Sequence, residues 1–534
     1  MMARTLGVEL AHRLAAHGVR DVFGIPGVHN VELYRGLNEA GLTHVLARHE
    51  QGVGFMADGY ARATGKPGVG LVISGPGLTN IMTPMGQAYS DRVPILIISS
   101  CLDDADARQG QLHQMIDQRV AAQTVCAWSL QANSAADALR LVDRAFAEFA
   151  AGLARTVHIQ VPIKVLSATI ESRDTPALPA AQNVMVNDVP ADILEQVVRA
   201  KRPIFIFGAG AAHAAELARD ALNHSGGAAF TTYSGRGIIP AGTPSLLGAT
   251  LARPSSADVL ARADIVVAVG TELAEVDLWR QDLGHDCPLI RVDLDPKSLS
   301  DGQKHQIAIH SDAAVFLEAL VQAYQATGAG EFMAWPTAEI AAKRKAWRAE
   351  IAAERPGLVP VIDALQSAMP EAALIYSDMT QLAYSGKEIW DMPRPASWHH
   401  PCGFGTLGYA VPAAIGAAAA QIAREHPRPV VAIAGDYGFQ YTLQELGTAR
   451  ELACPLPIIL WDNGKLKEIE DCMVNAQITP NAVMAFNPNF STLAQAYDLA
   501  YCAPSQLGDI QNALRAALAA DRPTLIHLSP DIAT

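Results

Sequence analysis

Two short stretches late in the chain carry residues that could hold a charged ligand: AGDYGF at 434–439 and LWDNGK at 460–465. Asp436 follows the apolar run PVVAI and Asn463 follows PLPIILW, so the two end successive strands of one β-α-β unit. They stand 27 positions apart. A right-handed crossover sets the carboxyl ends of such strands side by side, and that edge is where open α/β sheets bind ligands. A carboxylate and an amide oxygen converging there are hard donors suited to Mg2+ or Ca2+, and Gly435, Gly438 and Gly464 let the backbone come close. Mg2+ takes few protein ligands and fills its shell from substrate phosphates and water, so one reading is a metal held against a diphosphate. The other is that Asp436 caps the helix after the GDYG turn. On spacing alone the two stand level.

A second candidate is GAGAAH at 208–213, since glycines after a strand let backbone N–H groups approach phosphate. Its third glycine position is His213, and AAFTTYSG downstream offers no acidic residue for a ribose. It reads as a tight strand-to-helix turn in a packing domain.

The elements that must position these residues alternate short Val/Ile-rich runs with Ala/Leu-rich helical stretches, the pattern of parallel sheets covered by helices. A chain of 534 residues is too long for one core, and three blocks are visible. The fold class is α/β with three doubly wound parallel-sheet domains, at 1–170, 188–325 and 350–534. In the first block, strands end at about residue 24, at Glu50 and near Gly75, and PILIISS is a fourth. In the third, a helix is expected over YTLQELGTAREL. The stretch 170–190 reads as a linker, and 325–357 as a second, helical connection. The first and third blocks look like independent versions of one architecture.

Composition narrows the function. Half the residues are hydrophobic and 18% charged, so the chain buries large cores. A net charge of −14 argues against nucleic-acid binding. Seven scattered cysteines without paired spacing fit neither a disulfide framework nor a zinc site, and a reducing cytoplasm is expected. The amphipathic N-terminal stretch is not a signal peptide, and no apolar run reaches bilayer length, so no membrane partner is expected.

Further motifs extend along the whole chain: FGIPGVHN, ARHEQGVGFMADGYARATGKPGV, SGPGLTN, SDRVPIL, VGTEL…RVDLDP, GFGTLGYAVPAAIGAA and GDYG…DNGK. In this order they resemble the thiamine diphosphate-dependent superfamily of pyruvate oxidases, acetolactate synthases and 2-oxo acid decarboxylases. The resemblance implies a pyrimidine-binding domain, a central domain and a diphosphate-binding domain, with thiamine diphosphate and Mg2+ as cofactors. It also implies a role for each matching residue. Glu50 would hydrogen-bond the aminopyrimidine and share a proton with it; alone, a glutamate after ARH reads as a solvated loop residue. Leu407 would wedge the cofactor into its bent shape, with the backbone of Gly405 and Leu407 against the pyrimidine edge. Asp436, the Asn463 side chain and the Lys465 carbonyl would hold the metal, Thr380 and Gln381 the phosphate oxygens, with Gly435, Tyr437 and Gly438 forming the turn.

The sequence departs from the family twice, with Tyr437 in place of a glycine and NGKLKEI in place of N-x-G-Y-G. The flavin-associated R-F-D-D-R segment of acetolactate synthases is replaced by VGTELAEVDLWRQ, so FAD is not expected. The segments LHQMIDQRVAAQTVCAWS, SDMTQLAY and NGKLKEIEDCMVNAQITP resemble most the 5-guanidino-2-oxopentanoate decarboxylase branch. That implies release of CO2 and an aldehyde from a small-molecule 2-oxo acid; acetolactate-type carboligation is the alternative. A binding protein that has lost activity is disfavoured, since Glu50, Asp436 and Asn463 are all intact. On the substrate side, His113, His29 and Glu468 are candidate proton-handling residues, and Gly27, Asn80, Gln114 and Asp471 candidate substrate contacts. Because the family builds each site from two subunits, a homodimer or homotetramer is expected.

Overall fold

The computed structural model describes residues 4–104, 108–152, 154–170, 189–327, 334–422 and 424–533. These residues form three six-stranded parallel sheets and one two-stranded antiparallel pair, Arg4–Thr5 with Thr169–Ile170. The first sheet consists of β1 (Asp21–Gly24), β2 (Thr43–Leu46), β3 (Gly68–Val72), β4 (Ile95–Cys101), β5 (Ser129–Gln131) and β6 (Val157–Pro162). Its connections include helices α1 (Glu50–Thr64) and α2 (Pro76–Ser90). The central sheet consists of β7 (Pro203–Phe207), β8 (Ala228–Thr231), β9 (Leu246–Gly248), β10 (Ile265–Val269), β11 (Leu289–Asp293) and β12 (Gln306–His310). Helix α3 (Thr337–Glu354) then leads through Arg355, Pro356 and Gly357 into the third block.

The third sheet consists of β13 (Leu374–Ser377), β14 (Trp398–His399), β15 (Val430–Gly435), β16 (Leu456–Trp461), β17 (Ala500–Cys502) and β18 (Pro523–Leu528). Three of its helices matter below: α4 (Ala410–Ile422), α5 (Asp436–Tyr441) and α6 (Lys467–Asn475). Its strand order is β14-β13-β15-β16-β18-β17, and that of the first sheet is β2-β1-β3-β4-β6-β5, the same order position by position. The two blocks are therefore versions of one architecture. The central sheet runs β9-β8-β7-β10-β11-β12, the doubly wound order of dinucleotide-binding folds.

Central strands such as VVAIAG and LPIILW are buried on both faces, which is why they read as unbroken apolar runs. The first and third blocks are joined by α1 lying along α4. A Cβ at Gly59 would run into the Ala413 carbonyl and one at Gly416 into the Met56 carbonyl, so glycine is required for the two backbones to touch. The pairing of 59 with 413 and 56 with 416 makes the helices antiparallel. Tyr409 Oη donating to Asp58 Oδ1 at 2.5 Å marks the end of α1 nearest Leu407.

Several boundaries differ from expectation. The strand predicted to end at Glu50 ends at Leu46, and Glu50 opens α1. The predicted GDYG turn is the first turn of α5, and YTLQELGTAREL divides into the end of α5, a 3-10 turn (Leu443–Glu445) and a helix (Leu446–Glu451). The predicted linker lies, except for residues 170, 189 and 190, outside the described residues. No described helix is long and apolar enough to cross a membrane.

The GAGAAH turn spends its amides on the sheet. Gly208 N donates to Val269 O and Gly210 N to Gly270 O, both at 3.0 Å, while His213 pairs with Asp312. The packing reading of that turn accounts for these contacts.

Candidate functional site

All ten residues expected to hold cofactor or metal on the third sheet line one cavity of about 240 Å³, and Glu468 joins them. The parallel register sets Gly435 opposite Trp461, which brings the Asp436 and Asn463 ends side by side. Gly435 takes the cap position of α5 and Asp436 is the first helical residue, so the carboxylate is not the cap. Tyr437, the departure from glycine, sits in the first turn of that helix, where any residue fits.

Asp436 is buried. Its Oδ2 accepts from Asn487 Nδ2 at 2.7 Å, and the same amide donates to Asp462 Oδ1 at 2.8 Å. His527 Nε2 holds the other Asp462 oxygen at 3.0 Å. Burial, helped by the Asp462 charge, pushes the Asp436 carboxyl above its ordinary range, against the Asn487 hydrogen bond. A divalent cation is the natural partner for such a group. The residues present fit a metal-bound diphosphate: Asp436, the Asn463 amide oxygen and the Lys465 carbonyl are hard donors lining one cavity. Among the described residues no group of three or more His, Cys, Asp or Glu side chains is placed to hold a metal ion.

Glu468, in the first turn of α6, is held in a fork. Arg355 Nη2 donates to Oε1 at 2.7 Å and Arg355 Nε to Oε2 at 3.4 Å, while Gln381 Nε2 donates to Oε2 at 3.1 Å. Burial pushes this carboxyl up, but Arg355 outweighs it and the net shift is downward. Asp471 is elsewhere: it pairs with Lys467 on α6 and does not line the cavity.

The first sheet carries a second cluster. His49 caps α1, its Nδ1 accepting from Gln51 N at 3.1 Å, and Glu50 stands in the positive first turn. Asn80 Nδ2, from the second turn of α2, donates to Glu50 Oε2 at 2.9 Å. Near them His29 Nδ1 contacts Ser74 Oγ at 2.6 Å, and its ring meets that of His113 edge-on at 4.9 Å. Burial, and then the charge of His113, lowers the His29 pKa, so the ring is neutral near pH 7. The His113 backbone lies on the Gly75 turn, and its Nδ1 is buried without a hydrogen-bond partner among the described residues. Gly27 N is held by Asn30 Oδ1 at 2.6 Å in the neighbouring turn. Gln114, by contrast, bonds the Arg108 carbonyl at 3.0 Å on an exposed part of the loop.

The two clusters do not meet. Among the described residues no hydrogen bond joins them. The antiparallel α1/α4 pair explains why: Leu407 precedes α4 near Asp58, whereas Glu50 lies eight residues away, about 12 Å along α1. Exposed apolar side chains rim both, Val28, Leu112 and Ile116 on one and Phe404, Met484 and Phe486 on the other.

Sequence reading missed Asp378, Arg355 and Asn487. Asp378 is fully buried, accepts from Met379 N at 2.8 Å and Gly408 N at 3.0 Å, and so fixes the turn that presents Leu407. Burial raises its pKa to about 6. The signal was present, an aspartate directly after a buried strand; Arg355 and Asn487 have none in local sequence. A larger cavity of about 640 Å³, at the carboxyl edge of the central sheet, is lined by Asp91, Asp277 and Asp312 with Gly208, Gly210 and His213 of the GAGAAH turn, and contains none of the residues expected to hold thiamine diphosphate, metal or 2-oxo acid.

Family models match in three parts: the thiamine pyrophosphate enzyme N-terminal TPP binding domain at 4–121, the central domain at 191–320 and the C-terminal TPP binding domain at 378–528. The chain is 41% identical to the probable 2-ketoarginine decarboxylase AruI of Pseudomonas aeruginosa, over 98% of this chain and 94% of that protein. It is 28% identical to the acetolactate synthase isozyme 2 large subunit of Escherichia coli, over 98% of this chain and 95% of the relative.

Proposed function

The chain belongs to the thiamine pyrophosphate enzyme family, and from that premise we propose that it decarboxylates 5-guanidino-2-oxopentanoate to the corresponding aldehyde and CO2. The observation that carries this reading is the cavity on the third sheet, which pairs an Mg2+-type donor set with a separate carboxylate, Glu468. The first suits a diphosphate and the second a guanidinium, which a carboxylate meets in bidentate fashion. The name of the 41% identical relative points to the same substrate.

Bound here, thiamine diphosphate supplies the electron sink that loss of CO2 requires. Asp436, Asn463 and the Lys465 carbonyl would hold Mg2+, and Thr380 with the backbone of Gln381, whose side-chain amide is on Glu468, would face the phosphate oxygens. Asn80 fixes one oxygen of Glu50 and leaves the other to exchange a proton with a ring nitrogen of the cofactor. The His29 ring, oriented by Ser74 and set edge-on to His113, can relay a proton drawn from solvent to the aldehyde carbon, one ring nitrogen accepting as the other donates. One chain keeps its two clusters apart toward opposite ends of α1 and α4, which supports a site assembled from two copies, with the apolar rims as the surfaces such a dimer covers.

The test is turnover of a panel of 2-oxo acids after chelator dialysis, with thiamine diphosphate and Mg2+ added back separately. The reading expects activity only with both present and highest kcat/KM for the guanidino acid. Preference for pyruvate with acetolactate as product would replace it with carboligation.

A further inference from the structure

Glu468 is already occupied by a guanidinium. Arg355 stands at the end of α3, on the three-residue passage between the central and third blocks, and approaches Glu468 with the two-nitrogen fork that a guanidino substrate would use. The neighbouring Glu354, at the end of α3, is held through its Oε1 by Arg253 at 2.7 Å, and Arg253 also pairs with Glu388. The Arg355 side chain has a second acceptor within reach: Nη1 lies 3.9 Å from Glu354 Oε2 and makes no hydrogen bond among the described residues. Resting on the function proposed above, we infer that Arg355 is an internal occupant of the tail-binding carboxylate: a substrate carrying a guanidinium displaces it from Glu468 toward Glu354, whereas an uncharged tail leaves the pair closed.

The exchange is like for like. Glu468 keeps a bidentate cation before and after, so no stage leaves a half-buried carboxylate bare. An uncharged tail offers no replacement, and opening the pair for it would leave the half-buried Glu468 carboxylate without a cation. Selectivity then comes from a competitor inside the chain as well as from attraction, and the resting pocket is closed to ligands that cannot complete the exchange. Gln381 stays on Oε2 throughout and keeps the carboxylate in place between occupants. Tyr384 and Ile469, which also line the cavity, are apolar enough to cover the methylenes of the tail.

The experiment is calorimetric titration of 5-guanidinopentanoate, which lacks the reactive oxo group, into enzyme loaded with thiamine diphosphate and Mg2+, with hexanoate as the uncharged control. Removing the competitor in Arg355→Met should tighten binding of the guanidino acid about five- to tenfold, because the binding-competent fraction rises toward one. Arg355→Lys, which keeps the charge and loses the fork, should tighten it about twofold. Glu468→Gln should lose binding of the guanidino acid, while hexanoate, no longer facing a closed ion pair, should bind at least as well as to wild type. Weaker or unchanged binding in both Arg355 variants would overturn the inference, as would failure of every variant to bind the guanidino acid. Tightening in an enzyme that turns over no 2-oxo acid would leave the inference standing and remove the function it was drawn from; turnover of the guanidino acid with weaker binding in Arg355→Met would do the reverse.

Discussion

The first and third sheets have one strand order, and both clusters lie where that order changes direction, beyond the ends of the first and third strands of each sheet. The residues just past those strands differ. After β1 and β3 come Gly27, His29, Ser74 and Gly75, without a carboxylate; after β13 and β15 come Asp378 and Asp436. One copy of the fold thus offers imidazoles and an amide around a single helix-start glutamate, while the other offers buried carboxylates and hard oxygens. The scaffold supplies the edge, and the side chains placed on it decide whether it handles protons or anchors charge.

The strongest way to break this division is to remove the anchor. Asp436→Ala should lose retention of thiamine diphosphate through gel filtration and reduce kcat/KM to below about a thousandth, since the metal contributes several kcal/mol. Retention of cofactor at wild-type levels would show that the third sheet is not the anchoring half. The opposite half should fail differently. Glu50→Gln keeps the bond from Asn80 in one amide orientation but cannot exchange a proton, so cofactor should stay bound while turnover falls about a hundredfold or more. Parallel loss of binding and turnover would erase the distinction.

Much of this division was legible in residue types. Asp436 and Asn463 could be placed because buried parallel strands are unbroken Val/Ile runs and a sheet's carboxyl edge follows from connectivity. Glu50 could not be read locally: its function depends on α1 starting there, and an isolated glutamate after Arg-His carries no such signal. The helix at GDYG was missed because glycines suggest a turn, yet Gly435 serves as cap and Gly438 as clearance for Asp378. Arg355 pairs with Glu468 across 113 positions, and long-range ion pairs leave no periodic trace.

The joint between the halves gives a smaller effect. A Val at Gly59 has no room against the Ala413 carbonyl, and overpacking of this kind costs about 3 kcal/mol. Urea unfolding should show that loss, and because the joint is shared, cofactor retention and dimer content should fall together. A stability unchanged from wild type would mean that α1 and α4 do not bear on each other in solution.

The smallest effect compares two buried groups, one in each sheet, whose response to acid runs in opposite directions. His158, buried in the first sheet between Ser99 Oγ at 2.8 Å and Ser129 Oγ at 2.7 Å, has its pKa lowered by burial to about 3. As pH falls below the ordinary 6.5, the unfolded chain takes up a proton that the folded chain refuses, so stability is lost from pH 6.5 downward. At pH 5 the loss from this residue is about 2 kcal/mol. Asp378 in the third sheet runs the other way. Its pKa is raised from 3.8 to about 6, so the unfolded chain releases its proton first, and stability is lost as pH rises through that window. Between pH 4 and 6 the two slopes offset each other in the wild type. Relative to wild type, His158→Gln should therefore change the slope toward stability that falls with rising pH, and Asp378→Asn toward stability that falls with falling pH, in urea unfolding from pH 4.5 to 7. Groups common to all three proteins cancel in these differences. Identical pH slopes in both variants and wild type would show that neither buried group titrates as its surroundings require.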